Sequence, residues 1–117
     1  MSLEVELVAL LRTVCPRVSP DVATLNTPLP MITYQHIGGS PLRYLDGSAS
    51  DKRHAIIQIN VWDTTRANCL SLIRQVEDVL SIAQTINAEP SGEVIGQAAE
   101  DLKLYGISQD FSIHAAR

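Results

Sequence analysis

The amino-acid sequence predicts an α+β domain in which two helices pack on one face of a four-stranded antiparallel sheet, with the element order α-β-β-α-β-β. Residues 54–63 and 105–114 alternate apolar and polar side chains, the period of two that a half-buried strand requires. Between them, apolar residues recur at spacings of three and four from Cys69 to Leu80, which indicates an amphipathic helix. Strands that follow each other without a helix pair antiparallel most simply, and both helices must cover the apolar face of the sheet.

The first predicted helix begins near Ser2, which can cap it, and carries Glu4 and Glu6 where the helix dipole favours acidic side chains. Pro16 ends the helix, because proline lacks the backbone donor and disfavours helical geometry in the residue before it. Val5 and Val8 lie off its main apolar stripe. That leaves two interpretations, a wide contact with the core or a contact with another subunit. The stripe itself consists of Leu3, Leu7, Leu10, Leu11 and Val14.

The remaining elements follow in chain order. Residues 16–30 contain four prolines and are predicted to form an irregular connection, after which residues 31–37 form a strand. A second helix starts at a cap among residues 63–65, and residues 93–99 form a third strand. Each of the two alternating strands is predicted to bury one set of side chains. In the strand at 54–63 this set is Ala55, Ile57, Ile59 and Val61, and in the strand at 105–114 it is Tyr105, Ile107, Phe111 and Ile113.

A long loop over residues 38–52 separates two of the predicted strands. Loops of this length between neighbouring strands are uncommon and are usually functional or disordered. This one contains an arginine, a tyrosine and a leucine in succession, a combination too apolar for a simple solvated loop. Trp62 is expected on the polar face of its strand, packed against this loop or anchoring a partner. The candidate protein interface therefore comprises Val5, Val8, Arg43, Tyr44, Leu45 and Trp62.

The composition fits a single domain over residues 1–117. The formal net charge is -4, with nine Lys and Arg residues against 13 Asp and Glu residues. Nucleic-acid binding needs clustered basic side chains, so the composition argues against a DNA- or RNA-binding surface. Hydrophobic residues make up 45% of the chain but aromatic ones only 4%, so the core must consist mainly of Leu, Ile, Val and Ala.

Neither the cysteines nor the N-terminal segment indicates secretion. Cys69 lies on the apolar stripe of the second helix and is interpreted as a buried reduced thiol, with a disulfide to Cys15 as the alternative. The first eleven residues contain Glu4 and Glu6 and no basic leader, so no signal peptide is expected. No apolar run approaches the roughly 20 residues that span a bilayer. We expect a soluble protein made in the cytoplasm, with no membrane partner.

No constellation of residues predicts catalysis. His36, His54 and His114 lie on predicted strands but lack the close spacing typical of metal ligands, and we expect no metal or cofactor. Residues 38–40, Gly-Gly-Ser, lack the Gly-Lys-Ser/Thr ending of a phosphate-binding loop. Cys69 has no candidate base near it in sequence, and no serine stands in a nucleophile elbow. We therefore expect the protein not to be an enzyme.

Three segments together resemble a known family. Leu-Pro-Met-Ile-Thr-Tyr-Gln-His-Ile at residues 29–37 precedes a Gly-rich loop, and Ile-Gln-Ile-Asn-Val-Trp at residues 57–62 leads into an Ala/Leu-rich helix. This arrangement, with the closing segment 104–114, resembles the tail-completion family of long-tailed phages and prophages, also described as tail terminators or tail-to-head joining proteins. The resemblance spans residues 3–115, and residues 88–103 depart from it.

The resemblance implies an α+β subunit that assembles as a homo-oligomer, typically a hexameric ring, at the head-proximal end of the phage tail. Such a ring caps the tail tube, contacts the tail-tube protein and offers a surface to the head connector. DNA passes through its lumen without specific binding. The family is not known to have catalytic residues. Its members act in virion assembly in the host cytoplasm and then stay in the virion at the head-tail junction.

Two other functions are compatible with the residues. The first is a non-phage adaptor domain that uses the 38–52 loop to hold a peptide. The second is a small enzyme whose site assembles from His36, His54 and Asp110, which would require a cleft with convergent titratable groups. A stable closed oligomer favours the phage tail assembly protein, and a persistent monomer favours the adaptor.

Overall fold

A computed structural model of the chain has an α+β architecture with two helices and one sheet of six strands. The structure describes residues 3–20, 29–38, 52–83, 86, 88–92, 95–99 and 104–116. In chain order the elements are α1 (Leu3–Arg12), β1 (Val18–Pro20), β2 (Met31–Gly38), β3 (Lys52–Asp63), α2 (Arg66–Ile82), β4 (Ala88–Pro90), β5 (Ile95–Ala99) and β6 (Leu104–Ala116).

The sheet is mixed and has more strands than the sequence pattern predicts. Its order is β1-β2-β3-β6-β4, and β5 pairs with another part of β6. β1 runs parallel to β2, whereas the other pairings are antiparallel. The predicted four-stranded antiparallel sheet is therefore wrong in strand number and in one pairing. The predicted order α-β-β-α-β-β lacks β1 and β4.

The two missed strands are three residues each, too short for a period of two to be visible. β1 lies within the proline-rich connection and pairs with β2 from Val18 to Pro20. β4 ends at Pro90 and lies beside β6 next to Phe111, in a segment whose Pro, Ser and Gly residues predict only a helix end. Both are held by the neighbouring long strand and not by a pattern of their own.

The apolar face of the sheet is the one predicted from alternation. The odd-numbered residues of β3 from Ala55 to Val61 are all at most 2% exposed. In β6 the same face carries Phe111 and Ile113, both fully buried. Burial of this apolar surface is the main driving force for packing the two helices on the sheet. Gln109 is a polar residue on this face: it is 4% exposed, its Nε2 donates to the Gly92 carbonyl, and its Oε1 has no partner among the described residues.

α1 covers the β1–β2 side of this face. Leu7 and Leu11, one helical turn apart, are fully buried, while Val8 is half-buried against the same core. The Tyr34 hydroxyl on β2 donates a hydrogen bond of 2.8 Å to Glu4 Oε1 in the first turn of the helix. Packing and this hydrogen bond together determine which side of α1 faces the sheet.

α2 covers β3 and β6 and starts where the sequence predicts. Thr65 is its N-cap, and the Thr65 side chain accepts a hydrogen bond of 3.2 Å from the backbone N–H of Asn68. The buried face repeats at intervals of four, three and four residues. Its members are Cys69, Ile73, Val76 and Leu80.

Ile59 lies at the centre of the core and tests the register of β3. Replacing Ile59 with Ala should lower the free energy of unfolding by about 2–5 kcal/mol, because a fully buried side chain leaves a cavity when it is truncated. Thermal or urea unfolding measures the change. Ile37→Ala is the matched control, since Ile37 is 48% exposed and should cost much less. Equal losses in the two variants would contradict this assignment of the core.

Candidate functional site

The face of the sheet opposite the helices is the candidate functional site, which we call the polar face. It is formed by the residues of β2, β3 and β6 that alternate with the core positions. On β3 the polar-face positions from His54 to Trp62 carry no acidic or basic residue of the Asp, Glu, Lys or Arg type. On β6 the polar-face positions from Leu104 to His114 carry one, Asp110. Its polar members are Thr33, Gln35, His54, Gln58, Asn60, Ser108, Asp110, Ser112 and His114.

Three polar side chains form a row across the centre of this face. Thr33 is paired with Asn60, and Asn60 is paired with Ser108 on the other side. All three are buried, at 4%, 7% and 3% exposure. Burying polar groups is unfavourable unless hydrogen bonds compensate, so this row is a constrained part of the face and not an ordinary solvated surface.

Trp62 lies beside this row, on the polar face as its sequence position predicts. Its indole N–H donates a hydrogen bond of 3.3 Å to Thr33 Oγ1 on β2. The other end of the ring lies over Gly106 on β6, where a Cβ would come within 2.5 Å of Trp62 Cζ3. The indole therefore bridges three strands and needs a residue without a side chain beneath it.

The other half of the polar face carries pairs of polar side chains across β3 and β6. Gln58 Nε2 donates to Asp110 Oδ1 over 3.4 Å. Further along, the imidazole rings of His54 and His114 stack with centroids 4.5 Å apart, and His54 Nε2 is hydrogen-bonded to Ser112 Oγ at 2.8 Å. These side-chain contacts stabilise the pairing of β3 with β6 on the polar face, and contacts between apolar side chains stabilise it on the core face.

The structure separates the residues that the enzyme hypothesis would bring together. His36 is opposite Ile57, a core-facing position, whereas His54 and Asp110 lie on the polar face. His54 contacts His114 and Ser112, and Asp110 accepts a hydrogen bond from Gln58. Among the described residues, no three His, Cys, Asp or Glu side chains are arranged to hold a metal ion.

Both cysteines are buried free thiols. Cys69 Sγ donates a hydrogen bond of 3.2 Å to the Tyr105 carbonyl. Burial raises the pKa of the Cys69 thiol, and the negative charge of Asp63 adds to this effect, while a hydrogen bond to the Asp63 backbone opposes it. A thiol with a raised pKa is a poor nucleophile, which supports the interpretation of Cys69 as a core residue.

The candidate interface residues have different positions in the structure. Val5 is 55% exposed on α1, and Val8 packs partly against the core. Trp62 packs on Gly106, at the opposite end of β3 from Lys52, where the 38–52 loop joins the strand. The interface prediction for Arg43, Tyr44 and Leu45 lies outside the described residues.

Gly106 is the residue of this site that sequence reasoning missed. A glycine inside an otherwise alternating strand signals a close approach by another group, and that signal was available in residues 105–114. The identity of the approaching group, Trp62, depends on the register of β3 against β6. Alternation alone does not specify that register.

The chain is a member of the α+β class, with two helices on one side of a mixed six-stranded sheet and the polar face on the other. Within the described residues, neither helix is long and apolar enough to cross a membrane. The family model described as "Tail completion protein gp17" matches residues 4–114. The chain therefore belongs to the tail-completion family of phages, as the sequence resemblance predicts, and takes part in phage tail assembly. A search among characterised proteins finds no significant match to the chain.

The contact between Trp62 and Gly106 can be tested by adding one methyl group. Gly106→Ala should lower the free energy of unfolding by about 1–3 kcal/mol, because the new Cβ overlaps the indole ring and forces it to move. Trp62 is the only tryptophan, so its fluorescence should change in the folded variant. In Gly106→Ala/Trp62→Leu the loss should be smaller than the sum of the single losses. Gly38→Ala is the control, since a Cβ there meets nothing within 4 Å.

Proposed function

We propose that the protein is a structural, non-catalytic subunit that forms a closed hexameric ring, as its family resemblance implies, on the head-proximal end of the phage tail. There it caps the tail tube and joins it to the head connector. The observation that carries this proposal is the match of residues 4–114, nearly the whole chain, to the tail completion protein family. Such a role requires surfaces that bind other subunits, the tail-tube protein and the connector.

Capping follows from how a tube grows. An open tube end presents the surface on which the next tube subunit docks, so addition continues until that surface is covered. A ring that covers it stops the addition and replaces it with a different surface for the connector. Copies that meet through two different surfaces close into a ring only if the rotation between neighbours completes a full turn.

The polar face is the surface we assign to the DNA channel of this ring. DNA binds proteins mainly through basic side chains that neutralise its phosphates. The polar face offers amides, hydroxyls and the Asp110 carboxylate, and it has no lysine or arginine between His54 and Trp62. The chain as a whole is acidic, with a net charge of -4. Such a surface lets DNA pass without holding it.

The adaptor hypothesis is less well supported. It depends on the 38–52 loop as the binding element, and residues 39–51 lie outside the described part of the chain. Family membership favours the tail role, because the match includes the helices and the sheet as well as the segment that contains the loop.

A single basic substitution tests the channel assignment. Gln35→Lys places a positive charge on the polar face, so the assembled protein should bind double-stranded DNA with an affinity that falls as salt rises. Gln75→Lys, the same change on the exposed side of α2, is the matched control and should leave binding unchanged. DNA retardation by assembled protein measures both. Equal DNA binding by the two variants would contradict the assignment of the polar face to the DNA channel.

Removing the protein tests the function itself. Phage or prophage particles made without it should have tails of abnormal length that fail to join heads, because the tube end stays open to further addition. Electron microscopy of the tails gives the length distribution, and expression of the intact chain in trans should restore it. Tails of normal length joined to full heads would rule out the role.

A further inference from the structure

Two histidines face each other across the two long strands at one end of the polar face. His54 and His114 are directly opposite in the register of β3 and β6. The backbone N–H of His114 binds the Ile86 carbonyl on the outer side of β6, so the two histidines are a non-hydrogen-bonded pair, in which side chains approach most closely. Their rings stack with centroids 4.5 Å apart and planes inclined by 19°. His114 is exposed and His54 is half-buried, so solvent reaches both rings.

This contact can hold one proton without being disrupted. Nε2 of His54 lies 2.8 Å from Ser112 Oγ, and a serine hydroxyl can accept a hydrogen bond from a neutral or a protonated ring. A cation is also attracted to the face of an aromatic ring, so an imidazolium can stack on a neutral imidazole. The stack and the hydrogen bond are therefore both compatible with one bound proton.

The second proton reverses the interaction between the rings. Two imidazolium rings in this geometry place like charges 4.5 Å apart, and like charges directly opposite each other on neighbouring strands are destabilising. The unfolded chain can bind both protons without this repulsion, so in acid it binds more protons than the folded chain. The free energy of unfolding therefore falls as the pH falls.

The charged residues around the pair do not offset two added protons. On β4, Glu89 is opposite Ser112 and is exposed, so its carboxylate attracts a positive charge only weakly. On β6, Asp110 is opposite Gln58 and accepts a hydrogen bond from it. These two residues are the acidic ones that the pairings of β3, β6 and β4 place near the histidines on this face.

The basic residues near the pair equal the acidic ones in number. Lys52 and Arg53 precede His54 in β3, at the positions opposite Ala116 and Ala115. β2 contributes Gly38, which is opposite Ile56 and carries no charge. Both helices pack on the core face, on the other side of the sheet. Two acidic and two basic residues therefore leave the repulsion within the doubly protonated pair uncompensated.

We propose that the stack of His54 on His114 is a pH-sensitive contact, which joins the ends of β3 and β6 while at most one ring is protonated and separates them when both are. Imidazole is the side chain whose charge ordinarily changes between about pH 5 and pH 8, so this range contains the transition. Ala55 and Ile113, the opposite pair next to the histidines, belong to the core, so separation loosens the end of the core as well. The inference concerns the fold of each subunit and is independent of the proposed ring.

Urea unfolding at about pH 7.5 and about pH 5 tests this contact in His54→Gln, in His114→Gln and in the double variant. Between these values, the equilibrium constant for unfolding should rise about fivefold more in the wild type than in any of the three. That factor corresponds to the repulsion of two unit charges at this distance in water. The three variants should differ little from one another, because either substitution alone removes the repulsion.

His36→Gln is the matched control. His36 is exposed on β2 and lies opposite Ile57, away from the polar face, so the same substitution there should keep the pH dependence of the wild type. The proposal is overturned if His54→Gln and His114→Gln retain the wild-type pH dependence. It is equally overturned if His36→Gln loses that dependence as completely as they do.

Amide hydrogen exchange of the wild-type chain locates the effect. After correction for the intrinsic pH dependence of exchange, the protection of Ala55 and Ile113 should fall at the lower pH relative to that of Ile59 in the middle of β3. Salt at about 1 M should reduce this difference, because the screening length falls to about 3 Å. A uniform loss of protection along β3, or a difference that salt leaves unchanged, would contradict repulsion between the two rings.

Discussion

The pairing of β3 with β6 is the contact on which the rest of the structure depends. All twelve residues of β3, from Lys52 to Asp63, have a partner in β6. β2 and β1 attach to the outer side of β3, and β4 and β5 attach to the outer side of β6. The core face of this pair carries the apolar surface that both helices cover. A shift of one residue between the strands would bring the core face of one strand onto the polar face of the other, so the apolar pattern excludes odd shifts of register, although it allows a shift of two residues.

The long elements could be predicted from sequence because each repeats its pattern several times. Both helices, β2, β3, β5 and β6 follow from period and caps, and the predicted ends of these four strands differ from those observed by at most two residues. β1 and β4 could not be predicted, since three residues contain too little pattern and tertiary contacts hold them. Among the candidate site residues, the position of Trp62 on the polar face could be predicted from alternation. Its contact with Gly106 could not, because it joins two strands whose relative register the alternation leaves open.

Trp62 is a structural residue of the polar face although it lies outside the core. The indole covers Gly106, donates to Thr33 and lies beside the buried row that includes Asn60 and Ser108. Large aromatic residues on open faces often anchor partners, but this one is already engaged on three strands. Its contacts join β2, β3 and β6 on this face. A face with few charges, whose one tryptophan is already packed on the sheet, suits the proposed channel wall better than it suits a peptide-binding site.

The same fold leaves its two lateral sides unequal, and that inequality favours assembly in one direction. β1 is short and ends at Pro20, which weakens its edge as a template for further strands. The sequence of β5 contains neither proline nor a charged residue, although the Arg66 side chain of α2 reaches over Gly96. A subunit with two alike edges would pair face to face and stop at a dimer. A subunit with two unlike edges can repeat the same contact around a circle, which is the geometry that the proposed cap requires.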